Sequence, residues 1–213
     1  MRRELGEARM ALDPRPGERV YQEIKQAILS GEFVILQRLD IDKLAAQFGV
    51  SATPVRYALA ILASERLVKL NKSRTYQVAF WSERELRDLY LWRQQLIKWA
   101  LESYVAAPLV PSIAPERDYV AAYLGIVRHL DGDANIEARR AARAADDRLQ
   151  PALKFEKDVL HDAVEDLARV AAALENDGAP LAAALRSYFR RRVAQSAQIR
   201  SAAHASAIPD NGD

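Results

Sequence analysis

The stretch that most limits what this chain can become is LAAQFGVSATPVRYALAIL, residues 44–62. Leu44, Ala45 and Phe48 share a helical face, Gly49 ends that helix, and Ser51 with Pro54 opens another, whose face carries Val55, Ala58, Leu59 and Leu62. Glycine stops a helix because it enters the left-handed region without penalty. Serine at a helix start can accept from the first free N–H groups, and proline in the first turn has no N–H to waste. Helices this short are marginal alone. They must pack on each other across the tight turn, and the result is a helix-turn-helix.

Around it, Val20, Ile24, Ala27 and Ile28 recur at helical spacing, and Gly31 closes that helix. Asp40 or Ile41 begins the helix that ends at Gly49. After it, LVKL and TYQVAF flank the polar turn NKSR, a β-hairpin pattern. SERE at 82–85 is a capping-box pattern that opens a long helix with Leu86, Leu89, Arg93, Leu96, Ile97, Ala100 and Tyr104 on one stripe. APLVPSIAPERD reads as a proline-broken loop, and beyond it the chain is Ala/Leu/Arg-rich helix to about Ile199. The expected architecture is mainly α: a mobile arm over 1–17, a winged helix-turn-helix over 18–80 with a small β-hairpin wing, an all-α bundle over 81–200, and a flexible tail over 201–213.

Half of the residues are hydrophobic, enough for a core, and the net charge is only +2. A nucleic-acid site must therefore be a local patch. There is no cysteine, which excludes disulfides and thiolate metal sites. The N-terminal residues lack the apolar run of a signal peptide, and no apolar run reaches bilayer length, so the expectation is a cytoplasmic protein with no membrane partner.

In order and spacing, YQEIKQAILSGEF, RLDIDKLAAQFGVS, TPVRYALAIL and RLVKL with its hairpin resemble the DNA-binding domain of GntR-type bacterial transcription regulators over residues 19 to 80. The resemblance implies that the third helix enters the major groove of double-stranded DNA while the wing touches the neighbouring groove or backbone. On the residues, Ser51 and Thr53 stand at a helix N-terminus suited to a phosphate. Arg56 can make a bidentate contact to guanine. Tyr57 follows it, Lys72, Ser73 and Arg74 form the wing tip, and Lys69 adds a backbone contact. Each also has a plain structural explanation; the combination, with Arg56 on the exposed side, is what favours DNA.

The chain departs from the family pattern at five places. Ala52 replaces a usual arginine, Tyr57 a common glutamate, Ile35-Leu36 a Pro-Gly, Arg66 a glycine before the first wing strand, and Ser73 the wing glycine. Leu36 is not expected to supply a glycine's positive φ. These changes imply a shifted sequence preference. The competing expectation is a metabolite- or protein-binding dimer whose winged helix has lost tight operator binding.

The helical half resembles the FCD group of these regulators. That resemblance implies an internal site for a small carboxylic acid, with Arg93 holding its carboxylate and Asp146, Gln150 and Tyr188 around it. It also implies a divalent metal on one aspartate and three histidines. Here Gln150, Asp166 and Tyr188 stand where those histidines would, so no metal and no cofactor is expected. The alternative for Arg93 and Asp146 is an internal ion pair that fixes helix register, and RSYFRRRV reads as a solvated face. No Ser–His–acid arrangement, phosphate-binding glycine loop or carboxylate pair points to an enzyme. The sequence thus leads to a ligand-responsive repressor that binds a pseudo-palindromic operator as a homodimer.

Overall fold

A computed structural model of the chain describes residues 16–104, 114–175 and 179–207; the expectations for 1–15, for most of the proline-broken loop and for 208–213 lie outside the described residues. The protein is mostly helical, a winged helix followed by a helical bundle. Among the described residues no helix is long and apolar enough to cross a membrane.

The N-terminal half holds α1 (Pro16–Ser30), β1 (Arg38–Leu39), α2 (Ile41–Phe48), α3 (Ala52–Ser64), β2 (Val68–Leu70) and β3 (Tyr76–Val78). Helix α1 opens at Pro16, so Pro16 and Gly17 are helical rather than part of an arm. Proline suits that place because its missing N–H would be unpaired there anyway. Val20, Ile24, Ala27 and Ile28 of α1 pack with Val55, Ala58, Leu59 and Leu62 of α3 in one apolar core. Asp40 caps α2 by accepting from the Asp42 and Lys43 amides. At the other end Gly49 lies at φ +64°, and the Val50 amide reaches back to the Ala45 carbonyl. Arg19 of α1 donates to the carbonyl of Phe48, joining α1 to the end of α2.

The sheet has the order β1-β3-β2, all antiparallel, with Arg38 opposite Gln77 and Lys69 opposite Gln77 from the other side. The short β1 is absent from the sequence reading. Its two residues carry no alternation of their own and pair only because the wing lies beside them.

Leu36 overturns one expectation: it does adopt a positive φ, at +66°. Its amide donates to the Val78 carbonyl, its own carbonyl accepts from the Gln77 side chain, and its side chain packs on the bundle. Arg66 at +62° and Arg74 at +57° share that conformation. The left-handed residue of the wing is thus Arg74, not Ser73. Three left-handed bends are kept on side-chain-bearing residues, each at a cost of about 1–2 kcal/mol.

The second half comprises α4 (Glu83–Ser103), α5 (Tyr119–Leu130), α6 (Ile136–Leu153), α7 (Glu156–Val159), α8 (Ala163–Glu175), α9 (Ala179–Ala194) and α10 (Ser196–Ala207). Ser82 and Glu85 complete the capping box reciprocally: the Glu85 amide donates to the Ser82 hydroxyl and the Ser82 amide to the Glu85 carboxylate. Helix α10 corrects the expected tail over 201–207, because Ala203 is fully buried and holds that turn against the bundle.

Two arginines lie wholly inside this bundle. Arg93 of α4 donates to Asp146 of α6 (2.7 Å) and to Asp131 at the end of α5 (2.6 Å), and Tyr123 also donates to Asp146. Arg192 of α9 donates to Glu156 of α7 (2.8 Å), to Asp166 of α8 (3.0 Å) and to the Tyr119 hydroxyl of α5 (2.7 Å), with its guanidinium 3.5 Å from the centre of the Tyr188 ring. Tyr90, Tyr119 and Tyr188 all donate to Glu156. Burial alone would lower the arginines, but the surrounding carboxylates and tyrosines outweigh it, so both are held charged. Burial also pushes Tyr90, Tyr119, Tyr123 and Tyr188 up, so all four stay protonated donors.

Arg192→Met leaves Glu156 and Asp166 buried without their shared cation, and should destabilise the protein by about 3–5 kcal/mol in denaturant unfolding. An effect below about 1 kcal/mol would refute the role assigned to Arg192. Arg66→Gly relieves a left-handed bend at an exposed position. It should raise stability by about 0.5–1 kcal/mol in the same assay, the strain relief exceeding the added entropy of glycine.

Candidate nucleic-acid interface

Helix α3 presents its N-terminus and one flank to solvent. Its buried face is spent on α1, which leaves Arg56 and Tyr57 exposed, with Tyr57 at 58% of its full accessibility. Ser51 occupies the cap position in extended backbone (φ −74°, ψ 169°) but makes no side-chain cap bond. Its hydroxyl and the first-turn amides of α3 are therefore available to an outside acceptor, and the helix dipole favours an anion there. Thr53 is exposed on the same turn. The Tyr57 ring leans on the start of α1: a Cβ at Gly17 would lie 3.0 Å from it. Ala52, where a second arginine would have been useful, is half-buried.

The wing tip brings Lys72, Ser73 and Arg74 together, all exposed. The Arg74 amide donates to the Asn71 carbonyl and the Asn71 amide to the Thr75 carbonyl, while Ser73 and Thr75 hydroxyls pair at 3.1 Å. Neither Arg56, Lys72 nor Arg74 has an ion-pair partner among the described residues. Lys69 differs from them: its ammonium donates to the Phe80 carbonyl at 2.7 Å and lies 4.0 Å from Glu85, so it is engaged with the domain junction. The sequence reading overlooked Arg38. Pairing of β1 with β3 sets this exposed cation on the same small sheet as the wing. The missing signal was β1 itself.

The residues expected around an effector are dispersed by use. Arg93 and Asp146 are paired with each other. Gln150 faces the other half of the molecule and donates to the Leu29 carbonyl of α1. Tyr188 belongs to the Arg192 cluster, and the void beside it and Tyr123 is about 10 Å³, room for at most one water. The residues at the family's metal positions do not fit a metal. Asp146 is taken by Arg93, Asp166 accepts from Arg169, Arg191 and Arg192, the Tyr188 phenol is kept protonated by burial, and Gln150 points away. No group of three potential metal ligands occurs among the described residues.

Comparison with known proteins agrees with this geometry. Residues 16–78 match the family model "Bacterial regulatory proteins, gntR family". The gluconate operon transcriptional repressor of Bacillus licheniformis is 38% identical over 74 residues, which are 35% of this chain and 30% of that protein. Its Bacillus subtilis counterpart is 32% identical over 97 residues, 46% of this chain and 40% of that one. The chain thus spans less than half the length of the curated relatives it matches. These relatives are transcription regulators by name, not enzymes. Among solved structures, a GntR transcriptional regulator from Rhodococcus sp. RHA1 superposes with a TM-score of 0.69 at 20% identity, over 85% of this chain and 97% of that one. E. coli McbR/YncC superposes at 0.58 and 19% identity, over 86% and 98%. Those two likenesses extend the shared fold through the helical half. Over residues 16–78 the winged helix thus carries the domain described for the gntR family of bacterial regulatory proteins, and there the chain is similar to transcriptional repressors.

Proposed function

We propose that this protein is a ligand-responsive transcription regulator, a repressor that binds a pseudo-palindromic site on double-stranded DNA as a homodimer. The observation that carries the reading is the free N-terminus of α3. Ser51 leaves its cap bond unmade, and Arg56 stands exposed and unpaired beside it. Phosphate contacts from Ser51, Thr53, the wing tip and Arg38 would set register, while Arg56 and Tyr57 would read base edges. With Ala52 in place of a basic residue, one head offers few base contacts. Two heads on an inverted repeat supply the specificity that one lacks.

The dimer is supported by an exposed aromatic ridge on α4. Trp92 and Trp99 are each more than 40% accessible, with rings edge to face at 5.9 Å, and Leu91 lies beside them, also exposed. Aromatics in such a patch are what protein interfaces enrich.

Selection of random duplexes by the purified protein should enrich an inverted repeat. On that duplex Arg56→Ala should cost about 1–3 kcal/mol and relax specificity, whereas Lys72→Ala should mainly flatten the salt dependence by about one unit of log–log slope. No enrichment together with weak, salt-insensitive binding would favour the competing reading, a dimer that binds a metabolite or protein. Trp92→Glu with Trp99→Glu should convert the dimer to monomer in sedimentation equilibrium; a double variant that stays dimeric would remove α4 from the interface.

A further inference from the structure

The halves of the molecule meet along α1. Lys25 of α1 is held between Glu65 at the end of α3 (3.0 Å) and Asp147 of α6 (2.7 Å). Burial pulls its ammonium down, but Asp147, Tyr21 and Glu65 outweigh burial and hold it charged. Beside this bridge, between α1 and the corner where α5 passes into α6, opens a cleft of about 490 Å³. That is the size of a small-metabolite site, whereas the void within the bundle holds at most a water.

The charge in the cleft is unbalanced. Asp147 and Glu65 are taken by Lys25, and Asp131 and Asp146 by Arg93. Three further guanidinia line the cleft: Arg128 from α5, and Arg139 and Arg143 from α6. None forms an ion pair within 4.0 Å of a carboxylate among the described residues, although the charge of Arg143 reaches Asp131. The one described bond from any of them is Arg139 to the Gly132 carbonyl, 3.4 Å. Counted together, five cations face four carboxylates here, and one positive charge is left over. Arg139 and Arg143 also stand one helical turn apart on one face, where like charges repel. An anion lying between them would remove that repulsion, and planar guanidinia suit phosphate and carboxylate oxygens in pairs.

We propose that this cleft binds a small organic dianion, a phosphate ester or a dicarboxylate, on Arg128, Arg139 and Arg143. The occupant lies against Asp147, so it acts on the Lys25 bridge that joins α6 to the foot of the reading helix. This regulatory clause rests on the ligand-responsive reading above; binding in the cleft does not.

The test is calorimetric titration of the full chain with inorganic pyrophosphate and, separately, succinate, at ionic strength held constant with sodium chloride. Saturable binding of one anion per chain is expected, weakened about tenfold or more in the double variant Arg139→Gln/Arg143→Gln and unchanged in Arg186→Gln on α9. Whichever probe binds identifies the phosphate or the carboxylate source. No saturable binding of either, or binding undiminished in the double variant at an unchanged melting temperature, overturns the site. Affinity for the selected duplex is then measured with and without the anion. A response in the wild type that the double variant loses supports the coupling. Equal responses in both proteins overturn the cleft as the effector site and leave ligand response standing. Binding in the cleft with no change in DNA affinity sustains the site and overturns the regulation.

Discussion

Two guanidinium groups buried among helices are the constraint that the rest of this molecule obeys. A buried charge is costly unless every donor finds an acceptor. Arg93 meets that demand only when α4, the end of α5 and α6 are in register, and Arg192 only when α5, α7, α8 and α9 are. An apolar core of leucines would tolerate sliding of one helix along another. This one does not, because a shift by one turn strands an ion in a medium that cannot solvate it. No buried side-chain polar atom among the described residues lacks a partner, so the demand is met throughout.

The same networks close the interior. Aspartates and tyrosines that could have met a ligand are turned on each other, and the space beside Tyr188 is reduced to a void of about 10 Å³. What the bundle offers outside its core is charge on the α5–α6 corner and an aromatic ridge on α4. The helical half meets the winged helix along α1, where Lys25, Gln150 and Lys154 make polar contacts, and at Ile35, Phe80 and Trp81, which pack into the bundle.

Much of this was legible before any coordinates. Gly49, Ser51 and Pro54 mark the turn between α2 and α3 because each acts through local backbone geometry, and the Ser82–Glu85 box marks α4 for the same reason. The pairing of Arg93 with Asp146 was readable from both lying on apolar stripes. Asp131 was not, since it closes a turn and has no periodic neighbours. Arg192 was hidden in RSYFRRRV, where three consecutive arginines look like a solvated face. Its signal was present in its position, four residues after Tyr188 and three after Phe189, on the stripe that Leu181 and Leu185 begin. Nothing in the side chains of Leu36, Arg66 and Arg74 announces a left-handed backbone: Leu36 is held by its bond to Val78, and Arg66 and Arg74 close local turns onto Ala63 and Asn71.

The end of α1 has a wider consequence. A helix leaves its last carbonyls without partners. In α1 two of these, on Leu29 and Ser30, accept from Gln150 and Lys154 of the other half, and the Lys154 ammonium lies where a side chain on Gly31 would stand. Ile35, Phe80 and Trp81 likewise pack into the bundle's core. The winged helix therefore does not own all of its stability, because the bundle satisfies the end of α1 and covers part of its apolar surface. Loosening the seam frays the very helix that supports α3, so the order of the winged helix is tied to the integrity of the joint.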